Sequence, residues 1–143
     1  MNEKKKILFL CTHNAARSQM AEGFINSRYS DRYEAYSAGS EPTEVNPCAI
    51  EVMAEEDIDI APQRAKSLDE FDNASFDYVV TMCADAQESC PIFPGGVDYL
   101  HHTFVNPGSA VGSDNDNCAS FRHVSDQIKE WLMETFGKNS NRE

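Results

Sequence analysis

An α/β fold built around a parallel sheet is what the sequence predicts, and three observations predict it. Short apolar runs alternate with segments of helical periodicity along the whole chain, with no repeat, low-complexity tract or linker to divide it. The run Ile7 to Leu10 is continuously apolar, as a central parallel strand covered on both faces must be. A helical stretch then separates that run from a second strand pattern, which completes a βαβ unit.

The elements follow in order. After Ile7 to Leu10, Met20, Ala21, Phe24 and Ile25 recur at helical spacing between Arg17 and about Ser30. Tyr33 to Ser37 reads as the second strand, closed by Gly39. Asn46 before Pro47 is a helix start, a cap followed by a proline at the first helical position, and Ile50, Met53 and Ala54 mark its buried face to about Asp57. Ser67 to Phe71 reads as a short helix, Asp77 to Met82 as the third strand, and Val97 to Phe104 as containing the fourth. The last helix carries one apolar stripe of Phe121, Val124, Ile128, Trp131, Leu132 and Phe136, read as core.

Composition narrows the function. The chain has 143 residues, enough for one domain with a core, so residues 1–143 are expected to form a single unit. A net charge of −12 disfavours nucleic acid or an anionic membrane as partner. The basic start Lys4 to Lys6 precedes an apolar run too short for a signal peptide or a spanning helix, so a cytoplasmic location is expected. Five cysteines, Cys11, Cys48, Cys83, Cys90 and Cys118, at irregular spacing in a reducing compartment suggest redox chemistry or metal rather than a disulfide framework.

Cys11 closes the first strand and Arg17 opens the helix after it. Backbone amides gathered at a helix start form an anion site. A thiol in that field is expected to be substantially thiolate near neutral pH, and hence a nucleophile. The Arg17 fork suits the oxygens of a tetrahedral oxyanion, and the Ser18 hydroxyl is placed to donate to the thiolate. Phosphate and arsenate are the anions this arrangement favours. Cys83 ends the third strand at the same sheet edge as Cys11, and Cys90 follows seven positions later. These two serve either as redox thiols or as small buried hydrophobes. A zinc site with His101 and His102 is disfavoured because adjacent strand residues point to opposite faces, and no metal is expected there. Cys48 and Cys118 have no assigned role beyond packing or an exposed loop.

The segments "CTHNAARSQMAEGF", "YSAG", "NPCAIEVM" and "VVTMCADAQESCP" together resemble the low-molecular-weight tyrosine phosphatase fold, and within it the thioredoxin-coupled arsenate reductases. The resemblance spans nearly the whole chain. It implies a three-layer α/β sandwich, a four-stranded parallel sheet with helices on both faces. It implies a loop of Thr12, His13, Asn14, Ala15, Ala16, Arg17 and Ser18 that binds the oxyanion. It implies Cys11 as nucleophile, with Cys83 and then Cys90 as the thiols that carry the oxidation away to thioredoxin or another thiol carrier. A monomer without bound cofactor is expected. Alternatives are an aryl phosphate phosphatase and a non-catalytic oxyanion or redox sensor.

Two positions depart from the family. Asn106 precedes Pro107 where the family carries an aspartate acid, and an amide cannot donate that proton. The departure weighs more against phosphate esters than against arsenate. Some such reductases bind potassium through four positions that correspond here to Asn14, Glu22, Ser37 and Lys66. A lysine ammonium at the last either stands in for the cation or is simply solvated.

Overall fold

The computed structural model describes residues 4–11, 14, 16–71, 74–82, 95–102, 104 and 118–137. Its elements in chain order are β1 (Lys5–Cys11), α1 (Arg17–Arg28), β2 (Tyr33–Gly39), α2 (Pro47–Ala54), a 3₁₀ turn (Leu68–Phe71), β3 (Phe76–Thr81), β4 (Gly96–His101) and α3 (Ala119–Leu132). The strands lie in the order β2-β1-β3-β4, every pair parallel, so β1 is central as its apolar run requires.

Alternation along β1 builds both sides of the sheet. Ile7 and Phe9 enter one core with α1, α2 and α3, while Leu8 and Leu10 enter a second core with Ala38, Phe76 and Val79. All four are fully buried. Among the described residues the second face is covered by the 3₁₀ turn, through Leu68 and Phe71. Phe71, Phe76 and Tyr36 meet there edge to face at centroid distances of 5.5–5.9 Å. The result is the expected four-stranded parallel sheet, with α1, α2 and α3 on one face and, among the described residues, the 3₁₀ turn on the other.

Helix α1 is wedged between β2, α2 and α3, which explains why its first half is buried nearly all round. Gly23 makes this approach possible: a Cβ there would stand 2.7 Å from Ile60 Cγ2 and 3.2 Å from Met53 Cε. Helix α2 starts as its sequence dictates, with Asn46 Oδ1 accepting from the Cys48 amide and Pro47 at the first position. The α3 stripe holds to Leu132. A π turn (Met133–Gly137) then returns Phe136 to the core against Tyr33 and Tyr78, and Trp131 stays half-buried at the edge of the stripe.

One expectation fails. Cys48 and Cys118 are neither simply packed nor left on a loop: they form a disulfide across 70 residues, with Cα atoms 5.2 Å apart. It ties the first turn of α2 to the residue that precedes α3. Arg122 to Glu55 and Lys129 to Glu56 join the same two helices at the surface.

Candidate active site

Cys11 ends β1 beside Gly39 of β2, and it is the free cysteine among the described residues, 2% exposed. Its Sγ lies 3.0 Å from Ser18 Oγ in the first turn of α1. Ala16 occupies the N-cap of α1 and has no side-chain acceptor to offer, and the first turn carries no acidic residue. No side-chain cap and no first-turn carboxylate competes with an anion for the positive end of that helix.

Arg17 is buried, which is unusual for a guanidinium, and its partners explain how. Nη1 donates to the carbonyls of Met82 and Phe104, each at 3.2 Å. Met82 follows β3 and is held beside β1 by the hydrogen bond its backbone N–H donates to Leu10 O at 2.9 Å; Phe104 lies beyond β4. The guanidinium plane is thus fixed by the carboxyl ends of two further strands, at the edge where open α/β sheets place ligands. A rigid fork at the same sheet edge as a buried thiol suits a tetrahedral oxyanion.

Asn14 adopts φ 52°, a left-handed conformation that asparagine tolerates better than most residues. Its Nδ2 donates to Ser18 Oγ at 2.7 Å, and its Oδ1 accepts from the Lys66 amide at 2.8 Å and from Gln19 Nε2 at 2.9 Å. Segment 63–67 delivers these contacts because it runs along the end of β2: Gly39 N donates to Lys66 O, and Gly39 bridges Ser67.

The four residues aligned with a potassium site come together. Ser37 Oγ donates a short hydrogen bond to Glu22 Oε1, and Lys66 Nζ lies 3.8 Å from the same oxygen. Lys66 is not a solvated surface lysine, since its side chain is only 13% exposed; Nζ also donates to Arg64 O at 2.9 Å. Asn14 meets the Lys66 backbone rather than its ammonium. Burial pushes the Glu22 carboxyl above the usual carboxylate range, against the opposing pull of Ser37 and Lys66. Burial likewise pushes Lys66 down, against the attraction of Glu22. An ammonium at this place does not fit a site for potassium.

Cys83, Cys90 and Asn106, together with Thr12, His13 and Ala15, lie outside the described residues. His101 Nδ1 pairs with Thr81 Oγ1 at 2.6 Å, whereas His102 stacks on Phe104 and tilts against Trp131. The two rings have separate surroundings, and no group of three or more metal-ligating side chains occurs among the described residues. An open cleft of about 240 Å³ lined by His102, Phe104, Gln127, Glu130, Trp131 and Glu134 lies along α3, and its described lining includes no residue of the Cys11 loop.

Sequence reasoning missed Gln19 and Gln63. Gln19 is fully buried, and its Nε2 reaches Asn14 O, Asn14 Oδ1 and Arg64 O at 2.9–3.0 Å. Gln63 Nε2 donates to Gln19 Oε1 at 2.6 Å and to Gln19 O at 3.2 Å. A glutamine directly after Ser18 in a buried helix was the one available signal; nothing local marks Gln63.

The description "Low molecular weight phosphotyrosine protein phosphatase" fits residues 6–141 at the family level. An arsenate reductase of Bacillus subtilis (strain 168) is 41% identical over 132 residues, covering 92% of this chain and 95% of that protein. Among solved structures, an arsenate reductase in the phosphate binding state superposes with a TM-score of 0.77 at 29% identity, covering 94% of this chain and 98% of that one. A thioredoxin-dependent arsenate reductase of Corynebacterium glutamicum gives a TM-score of 0.63 at 29% identity, covering 92% of this chain and 61% of that longer one.

Proposed function

The chain belongs to the low molecular weight phosphotyrosine protein phosphatase family, and from that premise we propose that it reduces arsenate to arsenite with electrons from thioredoxin. The observation that carries the reading is the buried Cys11, hydrogen-bonded to Ser18 at the sheet edge where the Met82 and Phe104 carbonyls fix the Arg17 guanidinium.

In this reaction the Cys11 thiolate attacks arsenic, forming an S–As bond as water or hydroxide leaves. Arg17 and the loop amides hold the remaining oxygens as charge develops on them. Cys83 then attacks Cys11 Sγ. An S–S bond forms, the S–As bond breaks, and its electron pair stays on arsenic, releasing arsenite. Cys90 attacks Cys83 and frees Cys11, leaving a Cys83–Cys90 disulfide for the thioredoxin dithiol to reduce. The assignment of Cys83 and Cys90 rests on their place in the sequence and on the family.

Lys66 acts as an internal cation for Glu22 and makes bound potassium unnecessary. With Asn106 at the position of the general acid, hydrolysis of aryl phosphates is at most a weak side activity of the same Cys11–Arg17 pair. No bound cofactor is required by this sequence of steps.

The variants Cys11→Ser and Cys83→Ala test the assignment. Cys11→Ser should abolish both arsenate turnover and aryl phosphate hydrolysis; Cys83→Ala should remove reduction and spare the hydrolysis. A Cys83→Ala enzyme that still cycles with thioredoxin would show the relay to be wrongly assigned.

A further inference from the structure

Between segment 63–67 and the nucleophile runs a line of four hydrogen bonds; the first three point the same way, and in the fourth either Ser18 Oγ or Cys11 Sγ can donate. Gln63 Nε2 donates to Gln19 Oε1 (2.6 Å), Gln19 Nε2 to Asn14 Oδ1 (2.9 Å) and Asn14 Nδ2 to Ser18 Oγ (2.7 Å), and Ser18 Oγ lies 3.0 Å from Cys11 Sγ. We propose that Gln19 and Gln63 are positioning residues for the nucleophile: they lock this chain of donors in the direction that stabilises the Cys11 thiolate.

The direction is set by backbone groups, which cannot turn round. Gln63 must present its nitrogen inward because the same atom donates to the Gln19 carbonyl. Gln19 must present its nitrogen to Asn14 because that nitrogen also serves the carbonyls of Asn14 and Arg64. Two hydrogens serve three acceptors there, so one is shared. Asn14 must present its oxygen away from Ser18 because the Lys66 amide donates to it. Each amide in the line is pinned by at least one peptide group, and Nδ2 of Asn14 has only Ser18 Oγ as its described acceptor.

Ser18 Oγ therefore receives a hydrogen from Asn14, and in the proposed arrangement it turns its own hydrogen to sulfur. A thiolate completes the chain as a pure acceptor. A protonated thiol would have to donate to the second lone pair of Ser18 Oγ, and the hydroxyl hydrogen would then lose sulfur as its acceptor. Aligned donors in a site without water polarise one another, so each member strengthens the last bond. Asn14, Gln19 and Ser18 are all fully buried, which removes water as a competing partner.

This inference rests on Cys11 being the nucleophile of the proposed reaction, and its test needs no arsenate. Iodoacetamide alkylation of Cys11 would be followed against pH by quantifying the Cys11 peptide, in a Cys83→Ser/Cys90→Ser background with 0.5 M NaCl to screen added charge. Gln63 is only half-buried, so it tolerates replacement. Gln63→Leu removes the first donor and should slow alkylation at pH 6 about twofold to threefold. Gln63→Glu keeps the shape but places an acceptor where the donor was. Gln19 Oε1 then faces a carboxylate while its Nε2 stays held by peptide carbonyls, so the line loses its first donor and gains a repulsion, and alkylation should slow about tenfold, with the midpoint of the pH curve moving upward.

A merely structural role predicts the opposite order, with the near-isosteric glutamate milder than leucine. Gln19→Leu, which cuts the line at its centre, should match Gln63→Glu. Equal rates in wild type, Gln63→Leu and Gln63→Glu would overturn the proposal. So would a Gln63→Glu effect that disappears between low and high salt, because the added charge alone would then explain it.

Discussion

Replacing Cys48 with alanine should cost more stability than any other single change between α2 and α3. The Cys48–Cys118 disulfide closes a loop of 70 residues. Constraining a loop of that length in the unfolded chain gives about 4.4 kcal/mol at 25 °C by the chain-entropy relation. The ion pairs Arg122–Glu55 and Lys129–Glu56 join the same helices, but they lie at the surface where water and salt screen them, so the covalent link dominates. For a chain of this size the loss corresponds to a fall in Tm of about 10–15 °C. The assay is thermal unfolding of the oxidised protein in a Cys83→Ser/Cys90→Ser background, with and without a phosphine reductant. Cys48→Ala should melt low in both conditions, and the reductant should bring the parent down to the same Tm. An oxidised parent that melts with Cys48→Ala, and that ignores the reductant, would refute the reasoning.

Other consequences can be read separately. Turnover of the unaltered protein should be nearly indifferent to potassium, whereas Lys66→Asp, which sets a second carboxylate beside Glu22 and Ser37, should make it potassium-stimulated; steady-state rates in potassium against sodium decide this. Glu22 is held above the usual carboxylate range by burial, so the folded state binds its proton more tightly than the unfolded state does. Its contribution to stability is thus largest below the ordinary carboxylate value and is lost as pH rises through the raised one. Urea midpoints across that window should show a flatter slope for Glu22→Gln. Gly23→Ala gains about 1 kcal/mol of helix propensity but drives a Cβ to 2.7 Å from the fully buried Ile60, and overpacking of about 1–3 kcal/mol wins. Its Tm should fall by a few degrees.

What the sequence disclosed was whatever is local or periodic. Ile7 to Leu10 announced a central strand because both of its faces are core. Asn46 and Pro47 announced α2 because capping chemistry is read from adjacent residues. Cys11 and Arg17 were legible because a strand end and a helix start six positions apart must share one loop. Lys66 was found by counting along the family pattern, and its burial against Glu22 was not visible until segment 63–67 was placed beside β2. The Cys48–Cys118 pair stayed hidden because 70 residues separate its members and neither carries a local signal. The same holds for Gln63, which reaches Gln19 across 44 positions through a loop with no periodicity of its own. The carbonyls that fix Arg17 are backbone groups of Met82 and Phe104, for which no side chain could speak.

If Cys11 reduces arsenate, the electrons must come from thioredoxin. The most direct test is NADPH oxidation by the purified protein with thioredoxin and thioredoxin reductase, with arsenate added last and arsenite measured at the end. NADPH consumption should begin on addition of arsenate, yield one arsenite per NADPH, and vanish in Cys11→Ser. Hydrolysis of an aryl phosphate without any arsenate-dependent NADPH oxidation would make this protein a phosphatase instead.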